Sequence, residues 1–141
     1  MDSNTHLMIE DFVRGPLGCN CPDKVFQHIE VADSPADFKT VLGEKLYPSS
    51  RLITIGGILL VLTVEVESWE LIQSRLEAIF KRGIEVRDNR RYNRFRLVVA
   101  TTNQEDVHQT LAQQFKKLVG DDEKIHLHVL SLEQLPDYKS S

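Results

Sequence analysis

A chain of 141 residues, 41% hydrophobic and 27% charged, suits one globular domain around a single core. Its formal net charge of −4 gives no overall attraction to nucleic acid or anionic lipid, so any polyanion contact would have to be local. No segment reaches the roughly 18 to 20 apolar residues of a membrane span. Met1 to Glu10 has neither the basic start nor the apolar run of a secretory signal, so the expected compartment is the cytoplasm.

The first predicted element is a helix over residues 5–14, with Leu7, Met8, Phe12 and Val13 as its apolar stripe and Gly15-Pro16 as its stop. Leu17 to Asn20 reads as a loop. Cys21-Pro22-Asp23 reads as a second helix start, with proline at the first helical position, where its missing N–H costs nothing. A strand near His28 to Ala32 follows or overlaps it. Ser34-Pro35-Ala36-Asp37 opens another helix, which Gly43 would end. Arg51 to Ile55 is apolar and β-branched, hence a strand. Gly56-Gly57 is then either a hairpin turn, which would displace the last strand from beside the central one, or, as slightly preferred, a bulge in one longer strand or the mark of a strand added elsewhere.

Ile58 to Val66 is nearly all aliphatic and reads as the buried central strand. Alternation puts Ile58, Leu60, Leu62 and Val64 on one face and Leu59 and Val61 on the other. Both faces therefore need cover, which residues 1–50 or a partner subunit would supply. Ser68 caps a helix to about Arg82, with Gly83 at its C-terminal end. Ile84 to Asp88 and Arg94 to Thr101 read as strands joined by a loop of hairpin character. Thr102 with Glu105 makes a capping box for a helix that stops at Gly120. Ile125 to Leu130 alternates as the last strand, and residues 136–141 form a polar tail.

These elements predict an α+β fold. Residues 58–131 would form a ferredoxin-like βαββαβ core, a mostly antiparallel sheet with two helices on one face. Residues 1–50 would be an N-terminal helical and strand extension, and residues 1–135 one domain.

Two features carry chemistry. Cys19-Asn20-Cys21-Pro22 sits at a predicted helix start, where unpaired N–H groups favour a thiolate, although Asp23 opposes a second negative charge there. The pair could hold a soft metal, zinc or an iron–sulfur cluster, but two thiolates fall short of the usual four ligands. His28 and His6, or a second subunit in a homodimer, would have to complete the set. Alternatively Cys21 is a reactive thiolate that Cys19 resolves, since a disulfide across one residue is strained and readily reduced. The plain alternative is two packed cysteines in a buried loop.

The second feature is basic: Arg87, Arg90, Arg91, Arg94 and Arg96, with Tyr92 and Phe95 interleaved. Arg90, Arg91, Arg94 and Tyr92 are candidates for a polyanion. The aromatic pattern of RNA-recognition strands is missing, which argues against nucleic acid and leaves a protein partner or a solvated edge. His126 and His128 share one face of the last strand, read as facing solvent. No dinucleotide, P-loop, zinc-protease or serine-hydrolase motif occurs, so no reaction is legible and whether the chain is an enzyme stays open. Three readings follow: a metal or cluster site on Cys19 and Cys21, a thiol redox or sulfur-handling protein, and a non-catalytic interaction module.

Overall fold

The computed structural model describes residues 3–102, 104–120 and 124–136. The expected capping box of Thr102 with Glu105, and residues 137–141 of the expected tail, lie outside what is described. The fold is α+β. In chain order it contains α1 (Ser3–Arg14), β1 (Ile29–Asp33), α2 (Lys39–Leu46), β2 (Ser50–Ile55), β3 (Leu59–Glu65), α3 (Trp69–Gln73), α4 (Leu76–Asn89), β4 (Arg94–Thr101), α5 (Gln104–Val119) and β5 (Ile125–Ser131). Short 3-10 turns at Asp23–Gln27, Ala36–Phe38, Tyr47–Ser49 and Leu132–Gln134 fill the joints.

The five strands lie in sequence order, β1-β2-β3-β4-β5. β1 to β3 is an antiparallel meander, whereas β4 and β5 are each parallel to their predecessor. Parallel neighbours need a crossover, which α3 with α4 and then α5 provide. This corrects the expected ferredoxin-like plan: the sheet is mixed, and β3 to β5 run β-α-β-α-β rather than βαββαβ.

Two local misreadings cause the difference. The first is Gly56-Gly57, which turns a hairpin and does not bulge. Ile55 faces Leu59, Ile58 N–H donates to the Ile55 carbonyl at 3.1 Å, and both glycines have positive φ. A Cβ on Gly56 would also sit 2.5 Å from the Val25 carbonyl oxygen, so only glycine fits. With β2 beside β3, the last strand moves out to the far edge. The second is Gly83. It does not stop a helix; it lies inside α4, with the Phe95 ring 2.4 Å from where a Cβ would be. The glycine lets helix and sheet approach closely, and α4 runs on through Ile84–Asn89, where a strand was expected. A Schellman motif ends it: Arg91 N–H donates to the Asp88 carbonyl and Tyr92 N–H to the Arg87 carbonyl, with Arg91 at φ +60°.

Each sheet face has its own core. Leu60, Leu62, Val64, Phe95, Leu97 and Val99 pack against α2, α3, α4 and α5 through Leu42, Ile72, Ile79, Phe80 and Leu111. The opposite face, with Ile53, Ile55, Leu59, Val61, Val98 and Leu130, is covered by Ile9, Phe12 and Val13 of α1, and by Leu17, Cys19, Val25 and Phe26 after it. The alternation expected for the central strand is therefore present from Leu59 to Val64, and the N-terminal segment supplies the missing cover. Ile58, expected on the helical face, instead precedes β3, is exposed and lines the cysteine-side cavity. Gly43, expected to end α2, breaks it instead: its φ of +74° interrupts the helix, which resumes to Leu46. No helix among the described residues is long and apolar enough to cross a membrane.

Candidate functional site

The cysteine loop is held from below by α1. Cys19 N–H donates to the Val13 carbonyl at 2.9 Å and Leu17 N–H to the Phe12 carbonyl at 3.2 Å. Gly18 makes the reversal at φ +66°. The expected helix after Pro22 is only the 3-10 turn Asp23–Gln27, too short to supply a helix dipole. The opposing charge foreseen at Asp23 is engaged elsewhere: Arg14 Nη2 donates to Asp23 Oδ1 at 2.7 Å. The same guanidinium stacks on the Phe26 ring, 4.5 Å from its centroid.

Cys19 and Cys21 are joined as a disulfide. Cys19 is buried among apolar neighbours, and Cys21 is half-buried and more accessible. The pair forms one wall of a cavity of about 330 Å³. The other wall is the start of β4, with Asn93, Arg94 and Arg96, and Ile58 with Leu59 contributes an apolar side. That volume is at the lower end of small-molecule sites. The position follows from strand parity. Arg94 and Arg96 alternate with the inward Phe95 and Leu97, so they fall on the face that α1 and the cysteine loop cover.

Arg96 is the unusual member. It is 8% exposed, yet no carboxylate pairs with it among the described residues. Its Nη1 donates to the Leu17 carbonyl at 3.1 Å, fastening the cysteine loop to the sheet, and contacts His128 Nε2 at 2.9 Å. Its Nε is buried without a partner. Burial first, and then the charge of Arg94, hold its pKa below the ordinary arginine value. Buried charges are usually paired, so an arginine of this kind contributes positive potential to the cavity that the two cysteines also line.

His128 answers that charge by staying neutral. Arginine only donates, so His128 Nε2 is the acceptor and Nδ1 carries the proton. Burial, then Arg96, then His126 lower its pKa to about 4. His126 stands beside it, ring centroids 6.4 Å apart, with its Nε2 3.3 Å from Arg94 Nη1. The two histidines do share a face, but they meet arginines there and are not a solvated fringe.

The remaining sequence candidates do not converge on this cavity. His28 is exposed, and His6 Nε2 meets the Phe26 carbonyl at 2.5 Å. Among the described residues no group of three or more histidine, cysteine or acidic side chains is arranged to hold a metal ion. The structure also divides the basic cluster. Arg90, at the end of α4, is 2.5 Å from Asp37, which also holds Arg82. Arg91 is exposed, Tyr92 packs against the helical core, and Arg94 lies on the cysteine face.

A larger cavity, about 580 Å³, lies at the carboxyl ends of β3 and β5, where open parallel sheets often bind ligands. Lys45, Ser49, Glu65 and Glu67 line it. Its charges are of mixed sign, and the Ser49 hydroxyl donates to the Glu65 and Leu46 carbonyls at 3.0 and 3.2 Å. The cysteine cavity has the stronger chemistry. No known protein-family model, curated protein or solved structure matches the chain.

Proposed function

We propose that this protein carries out thiol–disulfide exchange, with Cys19 and Cys21 cycling between disulfide and dithiol. The observation that carries the reading is the pairing of the two sulfurs in one cavity with Arg96, a buried cation with no carboxylate partner among the described residues. A cation beside a thiol favours the thiolate, and the thiolate is the species that attacks disulfides. Cys21, the more accessible sulfur, is the attacking group; Cys19, behind it, resolves the mixed disulfide. With Asp23 engaged by Arg14, its charge opposes this less than its place in the sequence implies.

In a reducing compartment the resting form would be the dithiol. The test is a redox titration in dithiothreitol buffers, with the two states counted by alkylation and mass spectrometry. A reversible two-electron transition involving Cys19 and Cys21 together supports the reading. A disulfide that survives excess reductant, or a reduced pair that no disulfide reoxidises, would refute it.

A further inference from the structure

The cavity also indicates what the thiol pair exchanges with. Around Cys19 and Cys21 its polar groups are Asn20, Asn93, Arg94 and Arg96, and no carboxylate side chain lines it. The chain as a whole is acidic, at −4, so this wall runs against the mean charge of the molecule. Arg96 has a buried Nε with no hydrogen-bond partner, and its neighbour His128 is neutral. Two carboxamides add donors at the rim. A volume of about 330 Å³ admits a small molecule and excludes a folded chain.

We infer that the substrate is a low-molecular-weight disulfide bearing a carboxylate or similar anionic group, whose charge is held by Arg96 while its sulfur meets Cys21. This rests on the thiol–disulfide reading above. In the exchange the Cys21 thiolate attacks one substrate sulfur, the substrate S–S bond breaks and one thiolate leaves. Cys19 gives its proton to solvent and attacks the Cys21 sulfur, releasing the second thiolate. The protein loses two electrons, the substrate gains them, and the two protons from the cysteines end on the two product thiols through water.

The experiment measures oxidation of the reduced, full-length protein by three small disulfides: dithiodipropionate (anionic), hydroxyethyl disulfide (neutral) and cystamine (cationic). The readout is the ratio of the anionic to the neutral rate, because any change in the thiolate itself cancels from that ratio. We expect the ratio to fall roughly tenfold in Arg96→Gln, to be largely kept in Arg96→Lys, and to fall in the wild type as salt rises. The cationic substrate should show the opposite salt trend. Should Arg96→Gln disturb folding, the wild-type salt series decides. An unchanged ratio in the variant and a flat salt series would overturn the substrate assignment while leaving the exchange reading intact. If none of the three disulfides oxidises the pair, both fall.

Discussion

The two faces of the sheet are built from the same strands and differ in what they bury. On the helical face Phe95 stacks on Phe38 with centroids 5.9 Å apart and meets Phe80 edge-on at 6.3 Å, while Phe80 packs against Phe115 at 5.1 Å. That face is a packed apolar core. On the other face the same β4 presents Arg94 and Arg96 and β5 presents His126 and His128, under a loop that carries both cysteines. At Arg96 the sheet buries a cation among aliphatic neighbours, where an apolar side chain would cost less free energy. Both faces bury an apolar core, and the cysteine face alone adds arginines, histidines and the sulfur pair to it.

The largest effect should come from the helical face. Phe80→Ala removes a ring that is 2% exposed and touches two others. It should cost about 3–5 kcal/mol in denaturant unfolding and leave the Cys21 thiol unperturbed in whatever remains folded. A loss below about 1 kcal/mol would mean this cluster is not the core.

On the cysteine face stability should depend on pH through His128. Its folded pKa of about 4 lies below the ordinary 6.5. The unfolded chain therefore takes up a proton first as pH falls. The contribution is complete above about pH 6.5 and is lost as pH falls toward about 4. Between about pH 7.5 and pH 5 this amounts to on the order of 2 kcal/mol. His128→Gln, which keeps an acceptor for Arg96, should flatten that part of the melting-temperature curve. Parallel curves for the two proteins would contradict the assignment.

Reducing the disulfide should have a similar or smaller effect. A cross-link spanning one intervening residue closes so short a loop that chain entropy supplies only about 1–2 kcal/mol. The dithiol form should stay folded, with a melting temperature lower by a few degrees, as measured by calorimetry with and without reductant. Global unfolding on reduction would make the bond a structural staple. The smallest effect is a gain: Arg91→Gly, at φ +60° in the α4 cap, should stabilise by about 0.5–1 kcal/mol.

Much of this contrast was legible in residues close together in sequence. The alternation of Leu59 to Val64 announced two buried faces, and Cys19-Asn20-Cys21 announced the sulfur pair. What failed were residues with two physical readings. Gly83 is a plausible helix stop, but here it is the space into which Phe95 packs. Ile84 to Asp88 suits a strand as well as a helix, and Gly83, Val86 and Arg87 bury at helical spacing. Gly56-Gly57 fitted either a bulge or a turn, and the contact with Val25 that requires glycine comes from 31 positions earlier in the chain. Arg96 was grouped with an arginine-rich edge because its partners are distant: Leu17 is 79 residues away and His128 is 32. Its strand parity was readable, but parity becomes burial only once β4 is known to lie inside the sheet.

In the proposed exchange Arg96 makes Cys21 a nucleophile. The most direct measurement is the pH dependence of Cys21 alkylation in the reduced protein, for the wild type and Arg96→Gln. The wild-type midpoint should lie clearly below the free-thiol value of about 8.5, and the variant's should be shifted upward. A wild-type midpoint at or above about 8.5, or the same midpoint in both proteins, would contradict it.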